Sequence, residues 1–317
     1  MAENLTSKSN PLVSFLVATY NRSDLLRQAI ESILVQTYAN IEIIVIDDAS
    51  TDDTEGMLGS RFKGRIKYYK NSTNRGVAYS RNIGLKNAAG EFIGLLDSDD
   101  IILDPGYVAT AVSTLVNNPE ICLFTGDLYC IDLKGNKIYD KTFFQTTIDH
   151  RDIELSTGIK DFEYVFCHGV HSCGAIFKKF ITKEIGFLNT DYKIAWDEDF
   201  FLRVAAADKF KIYYYNLPAM GYRVHGNNIS SRSLELYREK IRARESIIKS
   251  NHNLKRRLGR RFNMRMGDQY YCLVDACLRE KRIFASFLNA LKAISIYPPI
   301  LGLLMKKLFN YPLRVTN

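Results

Sequence analysis

In the front part of this chain, short apolar runs of strand length alternate with stretches whose apolar residues recur at helical spacing. That alternation restricts the fold more than any other feature. Leu12 to Thr19 is an apolar run rich in branched residues. Behind it Ser23 offers an N-cap, and Leu25, Leu26, Ala29, Ile30, Ile33 and Leu34 return with the period of a helix that has one buried face. A second apolar run, Ile41 to Ile46, ends in Asp47 and Asp48, and Ala49-Ser50-Thr51-Asp52-Asp53 makes a polar turn able to cap the next helix. Strand, helix, strand is a βαβ unit, and a series of such units builds an α/β fold with a mostly parallel sheet flanked by helices.

The series continues. Ile66 to Tyr69 reads as a strand, Val77 to Ala89 as a helix stopped by Gly90, and Phe92 to Leu96 as a buried strand that runs into Asp97-Ser98-Asp99-Asp100. Pro105 suits the first turn of a helix reaching about Asn117. After Ile121 the texture changes: Ile121 to Ile131 and Lys137 to Phe144 read as strands joined at Lys134-Gly135-Asn136, a hairpin, so the sheet becomes mixed there. From Arg232 onward the pattern is helical, with basic residues interleaved among Leu, Ile, Phe and Tyr, and Ile283 to Leu313 is apolar but broken by Pro298-Pro299. The expected division is therefore a domain over 1–231 and a basic helical C-terminal region over 232–317.

Composition excludes several classes. With 46% hydrophobic and 25% charged residues the chain is globular rather than disordered. Six cysteines without a CxxC pair read as a reduced, cytoplasmic protein, and no signal-peptide pattern or long uncharged apolar run is present. The formal net charge of +8 is uneven. Residues 232–317 hold 19 Lys+Arg against 6 Asp+Glu, which leaves 24 against 29 for residues 1–231. An acidic front with a basic tail implies chemistry in front and an anionic partner behind, such as the inner face of the plasma membrane.

In an open parallel sheet, ligands bind beyond the carboxyl ends of the strands. Those ends are polar here: Thr19-Tyr20-Asn21-Arg22, Asp47-Asp48 and Asp97-Ser98-Asp99-Asp100. A carboxylate at the second strand end can accept from a ribose or a base. The loop after the first strand, however, has no glycine, and neither GxGxxG nor GxxxxGK[ST] occurs where a diphosphate cradle needs it. Acidic residues can offset phosphate charge only through a cation, and Asp97 and Asp99 are hard oxygen ligands suited to Mn²⁺ or Mg²⁺.

These segments, together with Gln36-Thr37-Tyr38, Asn74-Arg75-Gly76, Ser80-Arg81-Asn82-Ile83-Gly84-Leu85, Trp196-Asp197-Glu198-Asp199-Phe200-Phe201-Leu202-Arg203 and Tyr222-Arg223-Val224-His225, resemble the family 2 glycosyltransferases over about residues 12 to 230. The resemblance implies a GT-A fold, a nucleotide-sugar donor (most simply UDP-linked), a divalent metal and inversion at the anomeric carbon. It implies nucleotide-sugar contacts at Ala18, Thr19, Tyr20, Asn21, Arg22, Asp48, Arg81, Asp97, Ser98 and Arg223. It also implies metal ligation by Asp97, Asp99 and His225, and a catalytic base within Asp197, Glu198 and Asp199. The family usually has Glu-Asp where this chain has Trp196-Asp197, so anchoring on Leu202-Arg203 selects Asp197, while the shifted pair Glu198-Asp199 stays open.

The implied reaction is a single displacement in which one carboxylate deprotonates the acceptor hydroxyl, and the acceptor is a glycan or a lipid-linked glycan of bacterial surface polysaccharide. Two other readings compete: a nucleotidyltransferase that makes the sugar nucleotide, and a nucleic-acid-binding protein acting through the basic tail. The first wants more basic residues in the loop after the first strand than Arg22 alone; the second lacks a recognised module, so no nucleic-acid partner is expected. Cys167, His168, His171 and Cys173 crowd together without the separated spacing of a zinc site and read as structural or acceptor-side residues.

Overall fold

A computed structural model describes residues 10–142, 156–226, 228 and 233–309. The last two positions of the expected strand Lys137 to Phe144, Arg232 at the expected domain boundary, and the end of the apolar stretch beyond residue 309 lie outside the described residues.

The chain forms two compact units, Met1–Gly226 and Asn227–Asn317. The first carries a sheet that begins β1 (Val13–Thr19), β2 (Ile41–Asp47), β3 (Lys67–Lys70) and β4 (Phe92–Asp97), with helices α1 (Ser23–Leu34), α2 (Thr54–Arg61) and α3 (Val77–Asn87) as crossovers. It continues with β5 (Ile101–Ile102), α4 (Tyr107–Asn117), β6 (Ile121–Ile131), β7 (Lys137–Thr142), β8 (Gly158–Lys160), α5 (Phe162–His168), β9 (Ile176–Lys178), α6 (Ile181–Ile185), α7 (Trp196–Ala206) and β10 (Lys211–Arg223). The strand order is β3-β2-β1-β4-β9-β6-β10-β5, with β7 on β6 and β8 on β10. β3, β2, β1 and β4 are mutually parallel, while β9 runs antiparallel to both β4 and β6. The sheet thus turns mixed where the sequence changes texture.

The apolar spacing of α1 buries Leu26, Ala29, Ile30 and Ile33 against the sheet. Its start differs from expectation. Arg22 occupies the N-cap position, and Ser23 is the first helical residue, its N–H donated to Asp52 at 3.0 Å and its hydroxyl to the Asp53 carbonyl. An Asp from the next turn thereby does what a local cap would have done. The hairpin between β6 and β7 is present, with the Asp132 carboxylate accepting from the N–H groups of Lys134 and Asn136 and Gly135 at φ 91°. α3 sits close to the sheet because residue 84 is glycine: a Cβ there would lie 2.9 Å from Leu16 and Ile46 side-chain carbons.

The second unit is helical: α8 (Ser233–Ser250), α9 (His252–Leu258), α10 (Arg260–Arg279), α11 (Ile283–Ile296), a 3₁₀ turn at Pro298–Ile300 and α12 (Leu301–Phe309). Val274, Leu278, Ala293, Ile300 and Leu304 form its core between α10, α11 and the final turns. Among the described residues no helix is long and apolar enough to cross a membrane.

Candidate active site

Register brings the strand ends to one edge: Thr19 lies opposite Asp47, and Ala18 opposite Asp97. The loops that leave this edge are strained and cross-braced. Asn21 and Ala49 both sit at positive φ, 51° and 69°, which costs of order 1–3 kcal/mol each and persists only where the surroundings enforce it. The enforcement is visible. Ser50 Oγ accepts the Asn21 N–H at 2.9 Å, Asn21 Oδ1 accepts the Thr51 N–H at 2.8 Å, and Asp47 accepts the Ser50 N–H at 2.7 Å. Of the first-loop residues, Ala18 and Thr19 are buried, the Thr19 hydroxyl has no hydrogen-bond partner among the described residues, and Tyr20 is exposed.

Asp48, expected at the base, is hydrogen-bonded within the fold. One of its carboxylate oxygens accepts from Asn71 Nδ2 at 2.7 Å and the Arg75 N–H at 2.9 Å, and the other from the Gly76 N–H at 2.7 Å. It is buried, and it caps the turn that starts α3, where Gly76 supplies φ 88°. Asp47, also buried, accepts from the Tyr68 hydroxyl. Beside these acids lies an open cleft of about 500 Å³ lined by Ala49, Ser50, Thr51, Lys70, Asn71 and Ser72. Lys70, Asn71 and Ser72 were not singled out from sequence. They follow β3 as Asp47 and Asp48 follow β2, so the strand-end rule, applied to the short third strand as well, would have found them.

The acids after β4 face different partners. Asp99 Oδ2 receives Arg22 Nη1 at 2.6 Å and lies 3.0 Å from His225 Nε2, so residues from three separate segments meet at one oxygen. Asp97 does not join them: its Oδ1 holds Arg81 Nη2 at 2.8 Å. Arg81 is fully buried, its guanidinium stacked 4.4 Å from the Trp196 ring centre, and its Nε and Nη1 have no hydrogen-bond partner among the described residues. It braces Asp97 and the start of α7. Ser98 is buried. Among the described residues no three or more His, Cys, Asp or Glu side chains gather as a metal-binding group; of the expected trio, Asp99 and His225 lie together and Asp97 pairs with Arg81.

Asp100 and Arg223 belong to the scaffold. Asp100 is buried, accepts the Arg223 N–H at 2.8 Å, and is pushed well above the usual carboxylate range by burial and then by the Asp99 and Asp97 charges. Arg223, expected at a phosphate, is fully buried instead. Its Nε donates to the Asp99 carbonyl, Nη1 to the carbonyls of Asp132 and Leu133, and Nη2 to Gln28. The guanidinium fork ties the β4 loop to the β6–β7 hairpin and α1.

In α7 the three acids likewise separate. Asp199 is buried and gripped by Arg203 through Nε at 2.9 Å and Nη2 at 2.8 Å, while Arg203 also donates to the carbonyls of Ile185 and Phe187. Both Arg203 nitrogens meet the one oxygen Asp199 Oδ2, so a full counter-charge holds this acid within the fold. Asp197 and Glu198 stay partly exposed, and Asp197 Oδ1 accepts the Glu198 N–H. Asn82 clamps the approach to this helix, its amide pairing with both the N–H and the carbonyl of Leu188 at 3.0 and 2.8 Å. Cys167 and Cys173 are buried, and the His168 ring packs on Tyr164.

With this geometry described, comparison with known proteins decides the class. The sequence model of glycosyl transferase family 2 matches residues 14–186, more than half of the chain. The chain belongs to glycosyl transferase family 2. This glycosyltransferase is 31% identical over 247 residues to the Escherichia coli UDP-Glc:alpha-D-GlcNAc-diphosphoundecaprenol beta-1,3-glucosyltransferase WfaP, an alignment that covers 77% of this chain and 90% of WfaP. It is 32% identical over 229 residues to an uncharacterized glycosyltransferase of Haemophilus influenzae, covering 70% and 68% of the two chains. Its fold matches the Pyrobaculum calidifontis mannosyltransferase PcManGT, solved with GDP-Man and Mn²⁺, at TM-score 0.57 and 18% identity, covering 93% of this chain and 83% of that one. It also matches S. aureus TarS 1-349 with UDP-GlcNAc at TM-score 0.57 and 17% identity, covering 89% of each. The glycosyltransferase thus has a GT-A fold, and family membership selects glycosyl transfer over the nucleotidyl-transfer alternative.

Proposed function

We propose that this glycosyltransferase moves a sugar from a UDP-linked donor, with inversion, to a hydroxyl of a lipid-linked glycan in the assembly of bacterial surface polysaccharide. The observation that carries the reading is the meeting of Arg22, Asp99 and His225 at the carboxyl edge of a sheet whose first loop has no glycine cradle. The name of WfaP, a relative aligned over most of both chains, supports a UDP donor and a diphosphate-linked lipid acceptor.

The residues present fit a divalent cation. Asp99 and His225 would hold Mn²⁺ or Mg²⁺, since a carboxylate oxygen and an imidazole nitrogen suit such ions, and Mg²⁺ in particular is usually held by one or two carboxylates together with substrate phosphates. When bound, such an ion would neutralise charge that develops on the departing diphosphate. Arg22 supplies a second cationic group to the same point. Asp197, with Glu198 as the neighbouring alternative, takes the acceptor proton, and a positioned base of this kind contributes about 10² to 10⁴ in rate. Arg81 and Trp196 hold this acid in relation to Asp97, while the uridine lies in the cleft of Ala49 to Thr51 and Lys70 to Ser72. In this reading catalysis belongs to residues 1–231 and the basic region 232–317 serves the acceptor side on the inner face of the plasma membrane.

The test is transfer from a panel of nucleotide sugars to a lipid diphosphate-linked GlcNAc, with Mn²⁺ and with chelator. UDP-sugar turnover that requires metal supports the reading; turnover with GDP-sugars alone, or metal-independent turnover, contradicts it.

A further inference from the structure

The second unit leaves a large apolar surface uncovered. On α11 the side chains of Ile283, Phe284, Phe287, Leu288 and Leu291 are all exposed, Phe284 to 75%. At 100° per residue they fill a continuous arc of about 140°. The opposite face carries Ser286 and Ala293, which are buried on the core of α10 and the last turns. On α12, Leu301 and Met305, one turn apart, are exposed as well. Soluble chains rarely leave so many large side chains together in water without a partner.

Charge narrows the partner. From Ile283 to Phe309 there is no Asp or Glu, while Lys292 and Lys306 are exposed, and Lys281 and Arg282 immediately precede α11, Arg282 paired with Glu280 at 3.0 Å. Arg279 and Lys307 sit nearby, both joined to Asp275. A second copy of the chain would bring an equally basic rim against this one and be repelled. An anionic bilayer surface would be attracted to the rim and accept the apolar stripe. With 14 and 9 residues, split by the turn at Pro298–Ile300, α11 and α12 are too short to span a bilayer but suited to lying within its interface.

We infer that α11 and α12 form a membrane-docking surface in which Phe284, Phe287, Leu288 and Leu291 enter the acyl boundary and Lys281, Arg282, Lys292 and Lys306 meet anionic headgroups. This deepens the proposed lipid-linked acceptor by naming the residues that bring the enzyme to it, and it rests on that reading for its purpose.

The test is co-sedimentation of the full chain with vesicles of phosphatidylcholine alone and of phosphatidylcholine mixed with phosphatidylglycerol. The wild type should bind the mixed vesicles and fall off in high salt. Combined Phe284→Ser, Phe287→Ser and Leu288→Ser should weaken partitioning by about tenfold or more, and combined Lys292→Glu and Lys306→Glu should weaken it and flatten the salt dependence. A Phe287→Trp reporter should shift its emission to the blue on vesicles and be quenched by brominated lipid. Unchanged binding by the apolar triple variant, or a dimer in sedimentation velocity that the triple variant dissolves while vesicles are ignored, overturns the inference. Nucleotide-induced thermal shifts on the same variants keep the two readings apart: they should persist in all of them, and vesicle binding without any nucleotide response would leave the docking surface standing while the donor reading falls.

Discussion

Two acidic runs, Asp97 to Asp100 and Asp197 to Asp199, look alike as sequence and behave alike in one respect: each turns its last carboxylate into the protein. They differ in how that buried acid is satisfied. Asp199 is met by the Arg203 guanidinium, a full counter-charge whose Nε and Nη2 both reach Oδ2. Asp100 receives a main-chain N–H and faces two further carboxylates, so burial and like charge drive it toward the neutral form. An acidic motif therefore does not declare which of its members reach substrate. What each carboxylate meets sets its state: Arg203 gives Asp199 a counter-charge, Arg22 and His225 converge on Asp99, and Asp100 faces like charge.

Four perturbations sharpen that contrast. Asp99→Asn should give the largest loss, about 10³-fold or more in turnover, because it removes the carboxylate on which Arg22 and His225 converge; initial-rate assays would check it, and near-normal turnover would break the assignment. Asp197→Asn should cost about 10² to 10⁴ in rate, or about 3–5 kcal/mol of barrier, with nucleotide binding retained, and Glu198→Gln should cost less. If the order of the two reversed, Glu198 would be the base. Next comes Arg203→Leu, which strands Asp199 in the interior and should lower stability by about 3–5 kcal/mol in denaturant melts, whereas removing both charges as Arg203→Leu with Asp199→Leu should recover much of the loss.

Asp100→Asn should have the smallest effect. A folded-state pKa raised above the ordinary value of 3.8 means that the Asp100 contribution to stability is fully present below that value and is lost as pH rises through the folded pKa. The variant keeps an oxygen for the Arg223 N–H and cannot ionise. In chelator, its melting temperature relative to wild type should therefore climb between pH 4 and neutrality. A difference that shrinks over that range would mean that Asp100 is ionised and stabilised in the fold.

Much of the frame was legible because it depends on local pattern. Branched apolar runs became β1, β2 and β4, and the polar residues ending them reached one edge because parallel strands in register must finish together. The partners of Asp48, Asp199 and Arg223 were not legible: they lie at Gly76, at Arg203, and at Asp99 and Asp132. No periodicity records a main-chain carbonyl from a loop ninety residues away. The Asn82 clamp on Leu188 was hidden in the same way.

The most direct measurement of the central claim is the thermal shift produced by UDP with and without Mn²⁺ on the wild type and on Asp99→Asn, since ligand binding to the folded state raises apparent stability by mass action. Stabilisation of the wild type that needs both UDP and Mn²⁺, and is absent in the variant, is the expected result. Equal stabilisation by UDP in chelator, or an undiminished metal-dependent shift in Asp99→Asn, would contradict it.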